Sequence, residues 1–385
     1  MRVTTLLLAV VIAITSVLAT DSFTATSSFL AMDTLPPTDS LPATDSARNI
    51  TNVPCGFTYP ANDHNLDILE ALESGENPNI FGSATLFAPY PNGYTKWPRI
   101  NGGYVLIPYC YMDQAHRLSI KPYIDRALAM WAYALGGPPS EQSGHRIIFH
   151  EATDGPGLNQ GAPRYCKVLN QQGVLDWNPQ VTYDVLVIQI KQSPGVAATV
   201  GLYRHDPPRR GAHVLLVGTG ASVADFAHEL GHVLGMVHEH QRGDRDEYVL
   251  YKCNKFNTFA EALAKARLDN AAIGEEELCT DPLVAQKYDF TGEAYTKVMG
   301  DIGPIGDPIH RPIFSENSLY DVYSLMHYPS FTDFSSEACR RGDLNDCPLV
   351  KYKDPNNKAL GVEGIYKALG PSPGDIAWVK RTYPW

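Results

Sequence analysis

The stretch HELGHVLGMVHEHQRGDRD, residues 228–246, holds four of the chain's twelve histidines between positions 228 and 240. On a helix, residues four apart lie one turn above one another on the same face, so His228 and His232 can reach a single ion together. Glu229 stands beside the first of them, placed to touch a metal-bound water without ligating the metal, which is the position of a general base. Gly235 follows three residues after His232, where the helix must stop and the chain turn sharply; a residue without Cβ allows this at least cost. The turn returns His238 as a third nitrogen ligand. Three neutral histidines with one solvent position describe an open tetrahedral site for one catalytic Zn2+. HExxH also occurs on ordinary solvated helices, and a closed structural zinc site is a further reading. Closed sites favour thiolates, however, and no cysteine lies between Cys166 and Cys253.

Upstream of this motif, the chain from 97 to 221 alternates strand and helix patterns. YVLIPYCY (104–111), RIIFH (146–150), TYDVLVIQI (182–190) and AHVLLVG (212–218) read as strands, and Ile120 to Leu135 as a helix ended by Gly136 and Gly137. The motif's own helix is expected to start near Ser222, where S-V-A-D has the form of a capping box; Val223, Phe226, Leu230, Val233 and Leu234 give it an apolar stripe. Beyond residue 250, FAEALAKARL (259–268) reads as a helix, and much of 269–320 and 331–372 is rich in Gly, Pro and Asp.

The N-terminus reads as an export signal over residues 1–19: a charge at Arg2, unbroken apolar sequence from Leu6 to Ile14, and small residues around Ala19. Residues 20–51 are dominated by Ser, Thr, Pro and Asp, carry the tandem LPPTDS and LPATDS, and hold too little apolar surface to offset their ordering entropy. Asn49-Ile50-Thr51 is a glycosylation acceptor pattern, and DHNLDILEALES (63–74) a short amphipathic helix. The 385 residues carry 44% hydrophobic content, enough for a packed core, and a net charge of −11. That charge argues against nucleic acid as a partner, and no later segment is long and apolar enough to span a membrane. The expected product is secreted and extracellular. Seven cysteines in an exported chain suggest disulfides with one residue left over.

HELGHVLGMVH fits the extended H-E-x-x-H-x-x-G-x-x-H pattern of the metzincin zinc endopeptidases. The continuation through Glu239, Arg242, Asp244, Arg245, Asp246 and Tyr248 resembles the astacin branch. A second motif agrees: Ser324-Leu325-Met326-His327-Tyr328, preceded by Tyr320-Asp321, is similar to the astacin S-x-M-H-Y methionine turn. PSPGDIAWVKRTYPW at the C-terminus resembles the family's closing helix, so the likeness runs from about residue 95 to 385.

The resemblance implies an α+β metzincin fold. An N-terminal subdomain at about 93–238, with a twisted mixed sheet and helices, would face a largely irregular C-terminal subdomain at about 239–385 across a zinc cleft. Residues 20–92 would be a prosegment. His228, His232 and His238 would ligate zinc and Glu229 would act as general base. Tyr328 would be a displaceable ligand that swings to stabilise the oxyanion, Met326 would pack beneath the metal, and Glu239 would be a buried carboxylate that meets the mature N-terminus. His240 and His327 fall off the ligand positions and read as bystanders; His213 reads as an ordinary strand histidine, with lining of the substrate groove as the alternative. ATVGLY (198–203) is the candidate for an edge strand that binds extended peptide. The implied activity is that of a monomeric endopeptidase acting on protein or peptide substrates; the alternatives are an inactive secreted binding protein on the same scaffold and a zinc hydrolase of a non-protein amide.

The sequence departs from the family in three places. The segment between His238 and Met326 is longer than usual, which suggests an insertion around 255–315. The family pairs cysteines near the ends of its domain, but here none follows Cys347. Proximity along the chain gives Cys110 with Cys166, Cys253 with Cys279 and Cys339 with Cys347, one of 15 possible pairings of six cysteines. Finally, Phe81-Gly82-Ser83 lacks the carboxylate of the family's F-x-G-D latency motif, leaving Cys55 either as a thiolate switch or as an incidental or disulfide-bonded cysteine.

Overall fold

A computed structural model describes residues 94–100, 102–155, 161–191, 195–203, 208, 210–297, 299–301, 310–312 and 320–385. The expected export signal, the prosegment with its short helix, the Asn49 pattern, Cys55 and the Phe81 motif lie outside the described residues.

The chain runs β1 (Tyr94–Thr95), β2 (Val105–Tyr111), α1 (Gln114–Ala134), β3 (Ile147–Glu151), β4 (Lys167–Leu169), β5 (Leu175–Trp177), β6 (Leu186–Ile190), β7 (Val196–Ala198), β8 (Leu202–Tyr203), β9 (His213–Val217) and α2 (Val223–Leu234). Five of these strands form one mixed sheet in the order β3-β2-β6-β9-β7. All neighbours are parallel except β7, which pairs antiparallel with β9 at the edge. The alternation of side chains along β6 and β9 explains why both read as continuous apolar runs. Leu186, Ile188, Leu215 and Val217 face the main core with α1 and α2, whereas Val187, Val214 and Leu216 face a second cluster around the Cys110–Cys166 disulfide.

Differences from the sequence expectations have local causes. Helix α1 begins at Gln114, ahead of Ile120, because the Asp113 side chain caps it by accepting from the His116 N–H at 3.0 Å; the helix then continues through Pro122. Strand β6 is shorter than TYDVLVIQI and starts at Leu186. The sheet's edge strand is Val196–Ala198; Leu202 and Tyr203 leave the sheet to pair with Tyr94 and Thr95, so ATVGLY is split between two sheets.

The second half continues with β10 (Val249–Tyr251), α3 (Phe259–Asp269), α4 (Glu275–Thr280), α5 (Pro282–Lys287), β11 (Met299–Asp301), β12 (His310–Pro312), α6 (Glu337–Arg340), β13 (Leu349–Tyr352), β14 (Val362–Glu363) and α7 (Pro373–Thr382). Its regular elements are short, yet it owns an aromatic core of Phe256, Phe259, Tyr288, Phe290, Tyr295 and Tyr320. The expected insertion holds α3, α4 and α5. Cys253–Cys279 ties α4 back to the chain just ahead of α3, and Cys339–Cys347 closes a small loop, so all three proximity pairings are present. From the far end of the chain, Trp378, Val379 and Tyr383 join the first half's core, where the Tyr383 hydroxyl donates to the Leu234 carbonyl at 2.7 Å. The end of α2 is thereby held from both sides, since the Trp97 indole N–H donates to the Val233 carbonyl at 2.7 Å. The architecture is α+β, with α2 at its centre.

Candidate metal centre

Helix α2 opens with the capping box read from the sequence. The Ser222 N–H donates to Asp225 Oδ2 at 2.8 Å and the Asp225 N–H returns to Ser222 Oγ at 3.4 Å. It closes at Gly235, whose φ of 105° lies in the left-handed region that disfavours any residue with a Cβ. The reversal lets the His232 Nδ1–H donate to the Met236 carbonyl at 2.7 Å and brings His238 to the same point in space.

The three imidazoles are buried, and each gives its Nδ1 proton to an oxygen. His228 donates to the Leu325 carbonyl at 2.6 Å and His238 to Gln241 Oε1 at 2.9 Å, alongside the His232 bond. A carbonyl only accepts, so the proton sits on Nδ1 and each Nε2 carries a bare lone pair. These lone pairs converge. The Nε2 atoms of His228 and His232 each lie 3.2 Å from that of His238. Two acceptors facing one another gain nothing from a hydrogen bond and repel, unless a cation sits between them. Tetrahedral zinc with Zn–N bonds of about 2.0–2.1 Å sets its ligand nitrogens about 3.3 Å apart, close to the spacing seen. Burial pushes His228 down to about 4 and holds His232 and His238 well below the usual histidine range, so all three are neutral and able to ligate. Among the described residues they are the group of His, Cys, Asp or Glu side chains placed to hold a metal ion.

Glu229 is fully buried on the same helix. Met326 packs from below: a Cβ built on Gly231 would stand 2.5 Å from Met326 Sδ, so the glycine in HELGH leaves room for the methionine turn. The Tyr328 ring centroid lies 4.3 Å from that of His238. Glu239 is fully buried; its Oε1 accepts from Arg242 Nη1 at 2.8 Å and from the Asp321 N–H at 2.9 Å, while its Oε2 has no hydrogen-bond partner among the described residues. Burial drives the Glu239 carboxyl up to about 8 against the pull of Arg242. The GDRD stretch is structural: Arg242 bridges Glu239 to Asp244, and Arg245 donates to the His240 carbonyl at 2.9 Å. His213 is buried in β9 against Trp97.

The sequence reading missed several parts of this centre. Asp375, in the closing helix, accepts from Ser324 Oγ at 2.6 Å and from the Leu325 N–H at 2.8 Å, and so holds the loop whose carbonyl orients His228. Gln241 orients His238. His240 and His327 lie outside the metal-capable group, but both are buried in contact with Tyr328, His240 accepting its N–H at 3.2 Å and His327 donating to its carbonyl at 2.8 Å. The signal for Asp375 lay in the S-P-G-D capping pattern. For Gln241 and the two histidines no spacing rule pointed to the partners, which come from elsewhere in the chain.

Residues 169–271 match the family model described as Astacin, a peptidase family. Over that stretch the chain is similar to the astacins. Zinc metalloproteinase nas-13 of Caenorhabditis elegans is 29% identical over 169 residues, which make up 41% of this chain and 34% of that protein. The chain thus spans about a third of the length of that relative. Among solved structures, High choriolytic enzyme 1, a hatching enzyme zinc-protease from Oryzias latipes, aligns with 74% of this chain and 92% of its own at 18% identity and a TM-score of 0.38. Myroilysin aligns with 75% of this chain and 96% of its own at 15% identity and a TM-score of 0.36. That match ends at residue 271; beyond it, Leu325 and Met326 meet α2 at His228 and Gly231.

Proposed function

We propose that this chain is a secreted zinc endopeptidase that hydrolyses peptide bonds of extracellular proteins. The reading is carried by the convergence of three neutral histidines, His228 and His232 each with Nε2 3.2 Å from that of His238, beside a buried glutamate. When bound, zinc supplies a Lewis acid for the scissile carbonyl and lowers the pKa of a coordinated water to about 7. The residues that would hold it are His228, His232 and His238. Glu229 takes the proton of the attacking water and passes it to the leaving amine, a general acid–base contribution of about 10²–10⁴-fold in rate. The Tyr328 hydroxyl stabilises negative charge developing on the carbonyl oxygen, a role taken from the astacin resemblance. Met326 fills the floor beneath the histidines. Glu239, with one oxygen unengaged among the described residues, is suited to receive the ammonium of a new N-terminus after the prosegment is removed. If so, processing raises the thermal stability of wild type but not of Glu239→Gln; equal gains would exclude that role. The three disulfides suit an oxidising, extracellular compartment, and no helix among the described residues is long and apolar enough to cross a membrane.

The test is a peptide-library digestion with purified wild type and Glu229→Gln, with and without a zinc chelator. Cleavage by wild type alone, abolished by chelation and restored by zinc, is the expected result. Equal activity in the two proteins refutes the mechanism. Zinc binding without cleavage refutes the enzyme in favour of a binding protein.

A further inference from the structure

The stretch that lengthens the path from His238 to Met326 contributes more than bulk. Three consecutive backbone carbonyls within it, those of Ala294, Tyr295 and Thr296, accept from three side chains just past the third histidine. His240 Nε2 donates to Ala294 O at 2.9 Å, Gln241 Nε2 donates to Thr296 O at 3.1 Å, and Arg245 Nη1 donates to Tyr295 O. All six residues are buried, so none of these contacts is exchanged with water.

Because a peptide carbonyl can only accept, each contact fixes which end of its donor faces inward. With its NH2 committed to Thr296, Gln241 presents Oε1 to His238 and obliges that ring to keep its proton on Nδ1. The reversed amide would face Nδ1 with a donor, move the proton to Nε2, and occupy the lone pair needed for a metal. His240 is set in the same way. Its proton goes to Ala294, so Nδ1 is left to accept from the Tyr328 N–H, and its ring stacks on Tyr328 with centroids 4.4 Å apart. The carbonyl row is itself held in place by the Tyr295 ring, which packs edge-on against Phe256 at 4.7 Å.

We propose that residues 294–296 are the positioning wall of the metal centre, selecting the metal-competent tautomer of His238 through Gln241 and holding Tyr328 through His240. The inference rests on the zinc reading above, and makes Gln241, His240 and Tyr295 positioning residues. Orienting partners of this kind are typically worth 10–100-fold in metal affinity or activity.

The experiment uses the full processed chain, stripped of metal, with 15N-labelled histidine. Long-range 1H–15N correlation reads the His238 tautomer in the apoprotein, and competition with a chromogenic chelator reads zinc affinity. Wild type is expected to show His238 protonated on Nδ1. Gln241→Ala is expected to give a mixed tautomer and a 10–100-fold weaker zinc Kd, while Gln241→Glu, which accepts from Nδ1 but has no donor for the Thr296 carbonyl, is expected to keep the tautomer at a cost in stability. Tyr295→Ala is expected to reproduce the Gln241→Ala defect from a distance, and Tyr295→Phe to remain at wild type. Thermal unfolding of each apoprotein identifies any variant that has lost its fold. The proposal is overturned if folded Gln241→Ala keeps both the Nδ1 tautomer and a Kd within twofold of wild type, or if folded Tyr295→Ala does. The zinc reading fails separately, if His238→Ala binds zinc as tightly as wild type.

Discussion

Replacing Asp375 is expected to damage the metal centre from the opposite side of the core, without touching any ligand. The carboxylate is fully buried and accepts from Ser324 Oγ at 2.6 Å, from the Leu325 N–H at 2.8 Å and from the Ser372 N–H at 2.9 Å. Asp375→Ala leaves the Leu325 and Ser372 N–H groups without their acceptor, at about 1–3 kcal/mol for each buried unmet donor. The Ser372 N–H bond is also Asp375's half of the capping box of α7, so that loss is already counted. Against this, burial already raises the Asp375 carboxyl above the usual range, and deleting it returns that desolvation cost. The balance is a loss of about 2–4 kcal/mol. Asp375→Asn keeps the shape and one acceptor oxygen for both N–H groups, and Ser324 Oγ can accept from the new NH2, so a loss of about 1 kcal/mol is expected. Urea unfolding of the metal-free proteins measures both. Because the Leu325 carbonyl orients His228, Asp375→Ala should also weaken zinc binding more than Asp375→Asn. Equal stability in the two variants, or an alanine loss below about 0.5 kcal/mol, would refute the chain of contacts from Asp375 through Leu325 to His228.

Three further outcomes follow from the same geometry. Gly231→Ala drives a methyl into Met326 Sδ; overpacking of about 1–3 kcal/mol, less about 1 kcal/mol of helix propensity, should lower the thermal midpoint, and an unchanged midpoint would show that Met326 moves freely. Replacing Cys253 and Cys279 together by alanine opens a loop with a sequence separation of 26 residues. Chain entropy sets that cost at about 3.5 kcal/mol, and full retention of the urea midpoint would contradict it. Burial pushes the Asp225 carboxyl up, but Lys367 and Ser222 outweigh it and hold the group below the ordinary aspartate range. Its contribution is therefore complete above a pH of about 4 and lost as the pH falls through the lowered folded value, so Asp225→Asn should flatten the acid limb of a stability profile; a parallel shift at all pH values would argue otherwise.

The site was legible wherever chemistry is written locally. The histidine spacing on α2, the Ser222 and Asp225 cap, the turn at Gly235 and the Cys339–Cys347 pair each depend on residues near one another in the chain. Strands β6 and β9 were legible because burial on both faces leaves uninterrupted apolar runs. What escaped was set by pairing at a distance. Helix α1 starts in polar residues whose only cue is the Asp113 cap, and the break in ATVGLY is decided by β1 claiming Leu202 and Tyr203. The oxygens that orient His228 and, through Gln241, His238 belong to Leu325 and Thr296, and no periodicity in the 228–246 stretch says which carbonyls will arrive there.

The triangle of ring nitrogens has a consequence for which ion the protein carries. An all-nitrogen site follows the general order in which affinity climbs from manganese to copper and drops again at zinc. None of the three ligands is a thiolate, and the neutral rings are set by their carbonyl partners before any ion arrives. On that order alone, dialysis against equal copper and zinc is expected to load copper, so a preference for zinc would have to come from the tetrahedral geometry and from what the compartment supplies in which the chain matures.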